Sequence, residues 1–531
     1  MKSIWCSVAF ALGASGAAKS RILLIPIDDR PATGQFAQMI GAIADVEVVL
    51  PPAKLLGRFT SAGDSDAVLR WLETQDPKQF EAAIVSTDML TYGGLIASRE
   101  SASTYEQAIQ RIRRFQSWRR GAKDLRVFGF GALMRIAPTA LERTRPWRDA
   151  LAKLAVLRSK LEVEPTVELK TEIERLKTRI PAQSLSAYYA ARRRNHLVQR
   201  ELCRQVAAGV YDYMIFGQDD AQPFGPQVSE TVKLRQMVAN LSVSSRTYFC
   251  EGIDQHANVL VSRAITQAAN WSPKVRIVYS DASQILAIPA YEQKGIYKSV
   301  EESIVASGGQ VAKSGAPFDY SLYVNVPNAS AENLSLFKGR LAQEVEQGFP
   351  VAVADTNLGK TGTGDPELFQ FMLEQGRAQR LLGYAGWNTA GNTLGTTIPA
   401  ASVYLTARQL DVDPAHREMA RQTFLLHRLV NDFEFHRYTR PEAYRLRDLT
   451  EQGGAKEEVY GYAFDVINDF VRRDVTTRLQ QTFQTYFRGN QFFAGSDRLE
   501  VSDLTDVDVN LPWPRAYEVR ISFALKAEPA K

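Results

Sequence analysis

Two adjacent aspartates, Asp219 and Asp220, stand in the stretch "FGQDDAQPFGP", directly after the apolar run "YDYMI". Such a run reads as a buried strand, so the doublet falls at a strand's C-terminal end. Two like charges ~4 Å apart repel, and burial raises the pKa of one of them. A pair tuned in this way, one carboxylic acid and one carboxylate, is what cleavage of a glycosidic bond requires. Neighbours on a regular strand point to opposite faces. Both can serve one site only where the chain leaves the sheet, and "QPFGP" supplies that break. Two-carboxylate glycosidases usually draw their acids from separate segments, ~5–9 Å apart. A vicinal pair suits the substrate-assisted route instead. Asp219 would orient a 2-acetamido group whose oxygen attacks the anomeric carbon, and Asp220 would act as general acid/base.

Polar residues recur at the ends of other expected strands. Asp28, Asp29 and Arg30 close the first, and Asp88 closes the third, with Tyr92 and a Gly-Gly turn just beyond. Asp254 and His256 follow the sixth, and Asp281 the seventh. Asp355 and Asn357 close the ninth, and Trp387 and Asn388 the tenth, with Asn392 nearby. In a parallel α/β fold all C-terminal strand ends lie on one side, where the site is built. The expected result is a cup of carboxylates, amides and aromatics for a hydroxyl-rich ligand. Aspartate also caps helices that follow strands, and that role accounts for about half of these residues. It does not account well for doublets.

The elements that must position these residues are ten apolar runs, from "RILLIPIDD" at Arg21 to "LLGYAGWN" at Leu381, alternating with amphipathic stretches such as "SDAVLRWLETQ". The pattern predicts a parallel sheet with crossover helices, an α/β fold of TIM-barrel type over residues 19–400. Ten strands exceed the eight of a plain barrel, so one or two are expected to be peripheral. Residues 141–209 are rich in Arg, Lys, Glu and Leu and predict an inserted helical hairpin. Residues 401–531 predict a mainly helical region that ends in one or two strands.

The 531 residues carry 64 basic and 59 acidic side chains, a net charge of +5 spread along the chain. That balance gives no reason to invoke nucleic acid. "MKSIWCSVAFALGASGAA" has the charge, apolar core and small-residue site of a secretory signal peptide over residues 1–18, so a periplasmic or extracellular protein is expected. No later run approaches the ~20 apolar residues that span a bilayer. Cys203 and Cys250 sit in apolar contexts and read as two buried thiols. "LGKTGTGD" has Ala354 where a phosphate loop needs glycine, so no nucleotide cofactor is expected. "RRRNH" (192–196) reads as a solvated basic helix face.

Long motifs carry a resemblance. "IPIDDRP", "STDMLTYGGLIASR", "GQDDAQPFGP", "GYAGWNTAGNTLG" and "LPWPRAYEV" resemble the bacterial family known as domain of unknown function 4127, from about Arg21 to near the C-terminus. That resemblance implies no activity. A second resemblance, limited to one motif and an inferred strand order, is to barrel β-N-acetylglucosaminidases. It implies that Asp219 and Asp220 match their vicinal pair, that Asn388 or Asn392 holds the sugar, and that "YDYMIFGQDD" is barrel strand four, with "VEVVLPP" outside the barrel.

The leading expectation is therefore an exported hydrolase of N-acetylated amino-sugar glycans that needs no cofactor and no metal. A second reading is a metal-dependent hydrolase using Asp28, Asp29, Asp88, Asp254, His256 and Asp355. A third is a carbohydrate-binding protein that uses the same cup without catalysis.

Overall fold

The computed structural model describes residues 19–220, 222–359, 361–450 and 458–530. The expected signal peptide lies outside them. In chain order the strands are β1 (Arg21–Ile25), β2 (Glu47–Val49), β3 (Ala82–Ser86), β4 (Arg126–Leu133), β5 (Tyr213–Gln218), β6 (Thr247–Glu251) and β7 (Lys274–Tyr279). They continue with β8 (Gln310–Val311), β9 (Tyr320–Asn325), β10 (Val351–Asp355), β11 (Gly383–Ala385), β12 (Gln491–Ala494), β13 (Asp497–Asn510) and β14 (Arg520–Pro529). All ten apolar runs form strands. The one strand in this region that the pattern missed is β8, a two-residue, exposed piece with no apolar run.

The strands do not close into a barrel. They form two open parallel sheets, ordered β2-β1-β3-β4-β5-β6 and β11-β10-β9-β7-β8. Ten runs were too many for one barrel because they divide between two sheets. "VEVVLPP", expected outside the barrel, lies within the first sheet, where β2 pairs with β1, and "YDYMIFGQDD", expected as the fourth barrel strand, is the fifth strand of that sheet. Read from β8, the second sheet repeats the order of the first five strands of the first sheet. In each, the strand order reverses beside the sheet's first strand, and doubly wound folds open a crevice at the carboxyl end of that point.

Burial explains the continuous apolar runs. Every residue of β3, β5, β9 and β10 is buried, because helices cover both faces. The helices His256–Ala268 and Ala390–Gln409 pack together between the two halves. The second of them crosses residue 400, where the catalytic region was expected to end. The insertion between β4 and β5 holds three helices, Arg148–Val163, Val167–Lys177 and Ala182–Ala207. The C-terminal region is helical, as expected, and ends in an antiparallel sheet of three strands, β12-β13-β14. Its core includes buried Val501, Val509, Ile521 and Leu525, continuous with the second sheet's helices.

Candidate functional site

The doublet closes β5. The Asp219 N–H donates to the carbonyl of Leu133 (3.1 Å), which extends the ladder with β4 by one residue. Asp220 then adopts φ +42°, a left-handed conformation that aspartate tolerates better than most residues. Each carboxylate meets its own arginine. Arg99, which caps the helix Leu95–Ser98, donates to Asp219 Oδ2 at 2.6 Å and to Thr139 at 3.0 Å. Arg135, two residues beyond β4, pairs with Asp220. The Asp219 side chain is 10% exposed and that of Asp220 31%, so Asp220 is the solvent-facing member. Burial pushes the Asp220 carboxyl up. Arg135 opposes that, and the charges of Asp219 and Asp254 add to it.

Asp254 lies three residues beyond β6 and belongs to the same group. Arg30 bridges it to Asp28, with Nη2 2.8 Å from Asp254 Oδ1 and Nε 3.0 Å from both oxygens of Asp28. The Thr33 hydroxyl donates to Asp28 Oδ1 at 3.1 Å. Burial pushes Asp254 up against the pull of Arg30, and both Asp28 and Asp219 contribute to the rise. Asp88 sits in the first turn after β3, with Oδ2 accepting the Ala132 N–H at 2.7 Å. Burial raises its pKa to about 7. The Ala132 bond and Arg194 oppose the rise, and Asp219 adds to it. The carboxylates that close β1, β3, β5 and β6 lie within one another's fields, one polar cluster at the carboxyl end of the first sheet. β1 and β3 flank the point where the strand order reverses.

The chain's far end roofs this cluster. The Trp513 indole N–H donates to Asp29 Oδ1, and the Arg520 guanidinium donates to the Asp29 carbonyl at 3.0 Å. The guanidiniums of Arg30 (5.1 Å) and Arg515 (4.8 Å) both lie against the Trp513 ring. Asp29 is raised to about 6 by burial, with the Trp513 bond opposing. Four residues after Trp513, the Tyr517 hydroxyl donates to Asn388 Oδ1 at 2.9 Å. The segment Leu511–Arg520 thus touches the carboxyl ends of both sheets.

The remaining predicted residues divide clearly. Tyr92 is buried beside Asp88, but the Arg194 guanidinium lies over its ring at 4.2 Å and takes that face. Asn388 is linked to the roof segment through the Tyr517 hydroxyl. The Asn392 backbone N–H donates to the capping hydroxyl of Thr389 at 3.2 Å, and its side chain faces Gly252, where an added Cβ would come 2.7 Å from Asn392 Oδ1. His256 turns away, to Cys250 Sγ at 3.3 Å, in space left by Gly217, and burial pushes its pKa down to about 3. Trp387 is core, edge-on to Phe36 with its N–H on Thr396. Asp355 and Asn357 belong to a separate network on the second sheet. There Asn325 donates to Asp355 at 2.9 Å and Asn357 to Asp365 at 2.7 Å. Asp281 caps the turn after β7.

Sequence reasoning missed the arginines. Arg99 ends the motif "STDMLTYGGLIASR", but only its Asp88 and Tyr92 drew attention there, and Arg135 lies in a segment that carries no chemical motif. Arg192, Arg194 and Asn195 are buried, not a solvated face: Arg192 pairs with Glu230 at 2.7 Å, and Arg194 donates to the carbonyls of Ser98, Glu100 and Ser103. The signal that could have found them is their position on a helix whose same face carries Val198 and Leu202. Cys203 and Cys250 are free and buried, as expected. Among the described residues no three His, Cys, Asp or Glu side chains converge as a metal-binding group, and Arg30 fills the gap between Asp28 and Asp254. No helix among them is long and apolar enough to cross a membrane.

No curated protein and no solved structure matches this chain. A family model described as "Protein of unknown function (DUF4127)" matches residues 22–522, nearly the whole length, and the chain belongs to that family.

Proposed function

We propose that the chain is an exported glycoside hydrolase that cleaves N-acetylated amino-sugar glycans at the carboxyl end of the first sheet. One observation carries the reading: Asp220 is partly exposed and pushed up by burial, and it stands directly beside an arginine-anchored Asp219. A carboxyl held protonated nearer neutrality suits a general acid. Asp219 is fixed through Oδ2 by Arg99, and among the described residues no group donates to its Oδ1. That oxygen suits the N–H of an acetamido group.

In this scheme Asp220 gives its proton to the glycosidic oxygen as the bond to the anomeric carbon breaks. The acetamido oxygen, polarised by Asp219, forms the new bond to that carbon. Asp220, now a carboxylate, takes a proton from the water that opens the intermediate, and configuration is retained. Arg99 anchors Asp219 and Arg135 anchors Asp220, and each carboxylate lies within the other's field. Asp28, Asp88 and Asp254 line the same cluster and suit the sugar hydroxyls. The metal-assisted alternative has less support, because His256 faces Cys250, Asp355 belongs to the other sheet, and Arg30 already neutralises Asp28 and Asp254.

The test is hydrolysis of aryl β-N-acetylglucosaminides and N-acetylated oligosaccharides by the purified chain, with Asp220→Asn as control. Turnover that disappears in the variant supports the scheme. Equal turnover by the variant, or none by the parent chain on any N-acetylated substrate, removes it.

A further inference from the structure

A cavity of about 620 Å³ lies away from the carboxylate cluster, where β6, the free edge of the first sheet, faces the second half of the chain. The volume falls within the ~300–1,000 Å³ of small-molecule sites, and boundaries between packed units are where such sites concentrate. One wall is the starting end of β5 and β6, with Tyr213, Thr247, Tyr248 and Phe249. The other is the helix Ile296–Ala306, which presents Lys298, Glu301, Glu302 and Val305 at i, i+3, i+4 and i+7, one continuous face. Ser244 and Ser245 supply hydroxyls at one end. Arg235 lies over the Phe249 ring at 4.7 Å and reaches the Phe249 carbonyl at 3.4 Å.

The chemistry of this lining is mixed in a specific way. Arg235 and Glu301 form no ion pair with any described residue, so one guanidinium and one carboxylate remain to bond a ligand. Glu302 is already held by Lys294 at 2.5 Å. Beside Arg235 and Glu301 the lining holds five hydroxyl side chains, those of Tyr213, Ser244, Ser245, Thr247 and Tyr248, and the Phe249 ring. That set matches neither an anion, because the charges balance, nor a purely apolar ligand. It matches a neutral, hydroxyl-rich molecule that both gives and accepts hydrogen bonds.

We propose that this cavity is a second carbohydrate-binding site, which holds a further stretch of the glycan whose bond is cleaved at the first. This rests on the hydrolase reading for the identity of the glycan. The cavity is also tied to the first site. Glu302 in its wall binds Lys294, Lys294 binds Glu251 at 3.0 Å, and Glu251 ends the strand that delivers Asp254 three residues later. A chain held here keeps one glycan associated with the protein between cleavages.

The test uses the full chain carrying Asp220→Asn and the N-acetylglucosamine tetramer as probe, with binding read by titration calorimetry. Two sites per chain are expected. Adding Arg235→Ala and Glu301→Ala, both at the cavity and outside the catalytic cluster, should leave one site and weaken the other at least tenfold. In the parent background the same two substitutions should leave hydrolysis of a small aryl glycoside unchanged and slow hydrolysis of the polymer. Unaltered stoichiometry and affinity in the double variant, whether Asp220→Asn alone shows two sites or one, overturns the proposal. Failure of the hydrolase reading looks different: the parent chain cleaves neither substrate, while the tetramer still fills the cavity and Arg235→Ala with Glu301→Ala still removes it.

Discussion

Trp513 donates its indole N–H to the carboxylate of Asp29, a residue 484 positions earlier. The bond joins the last segment of the chain to the first strand end and closes the roof of the carboxylate cluster. It also opposes the rise that burial imposes on Asp29, whose pKa stands at about 6. The hydrogen bond favours the charged form, so its contribution is present when Asp29 is ionised.

Trp513→Phe should therefore destabilise the protein by about 1–3 kcal/mol, the cost of leaving a buried acceptor unsatisfied. The loss should be larger at pH 8 than at pH 5, because without the indole Asp29 rises further and stays neutral at low pH. Thermal denaturation at the two pH values measures this. An equal loss at both would mean that only packing was removed.

Asp88 offers a cleaner pH test. Its folded pKa of about 7 stands above its ordinary value of 3.8, chiefly because it is buried. The folded state thus binds the proton more tightly. The associated stability is fully present below about pH 4 and is lost as the pH rises through about 7. Asp88→Asn keeps a neutral group of the same shape at every pH. Relative to the parent, the variant should gain stability at pH 8, on the order of 2–4 kcal/mol, and gain little at pH 4. A difference that does not grow between those limits would show that Asp88 ionises freely in the folded chain.

Asp220 should set the alkaline limb of activity. A general acid works in its protonated form, so kcat/KM should fall as the pH rises through a value above the ordinary carboxylate range. Asp220→Asn should lower kcat by about 10²–10⁴-fold. Arg135→Met removes the cation that opposes the rise, so it should move the limb to higher pH. A limb that stays in place in Arg135→Met would detach it from Asp220.

The pair Arg428–Asp432 is fully buried, at 2.8 Å, and Asp432 also accepts the Gly386 N–H next to β11. Arg428 lies over the Phe36 ring at 3.5 Å, so it links the C-terminal helices to the first half of the chain. Arg428→Met alone should cost about 3–5 kcal/mol, because it strands a buried carboxylate. Arg428→Met with Asp432→Asn should recover a large part of that in denaturant titrations. A double variant no more stable than the single one would place the cost in the lost Phe36 contact.

The sequence by itself determined the ten strands, since uninterrupted apolar runs such as "YMIFG" and "VAVAD" have few alternatives to a covered parallel sheet. It also determined that carboxylates gather at strand ends, because strand direction is local and parallel strands share one exit side. It could not decide whether ten strands close into one barrel or divide into two sheets. That depends on which edges pair, and β6 and β7 carry the same kind of pattern as strands that do pair. Nor could it separate Asp254, which Arg30 draws into the cluster, from His256, two residues later, which the next helix turns towards Cys250. Arg99, Arg135 and Trp513 were illegible for the same reason. A charge becomes part of a site only when the fold brings its partner to it, and here those partners arrive from up to 484 residues away.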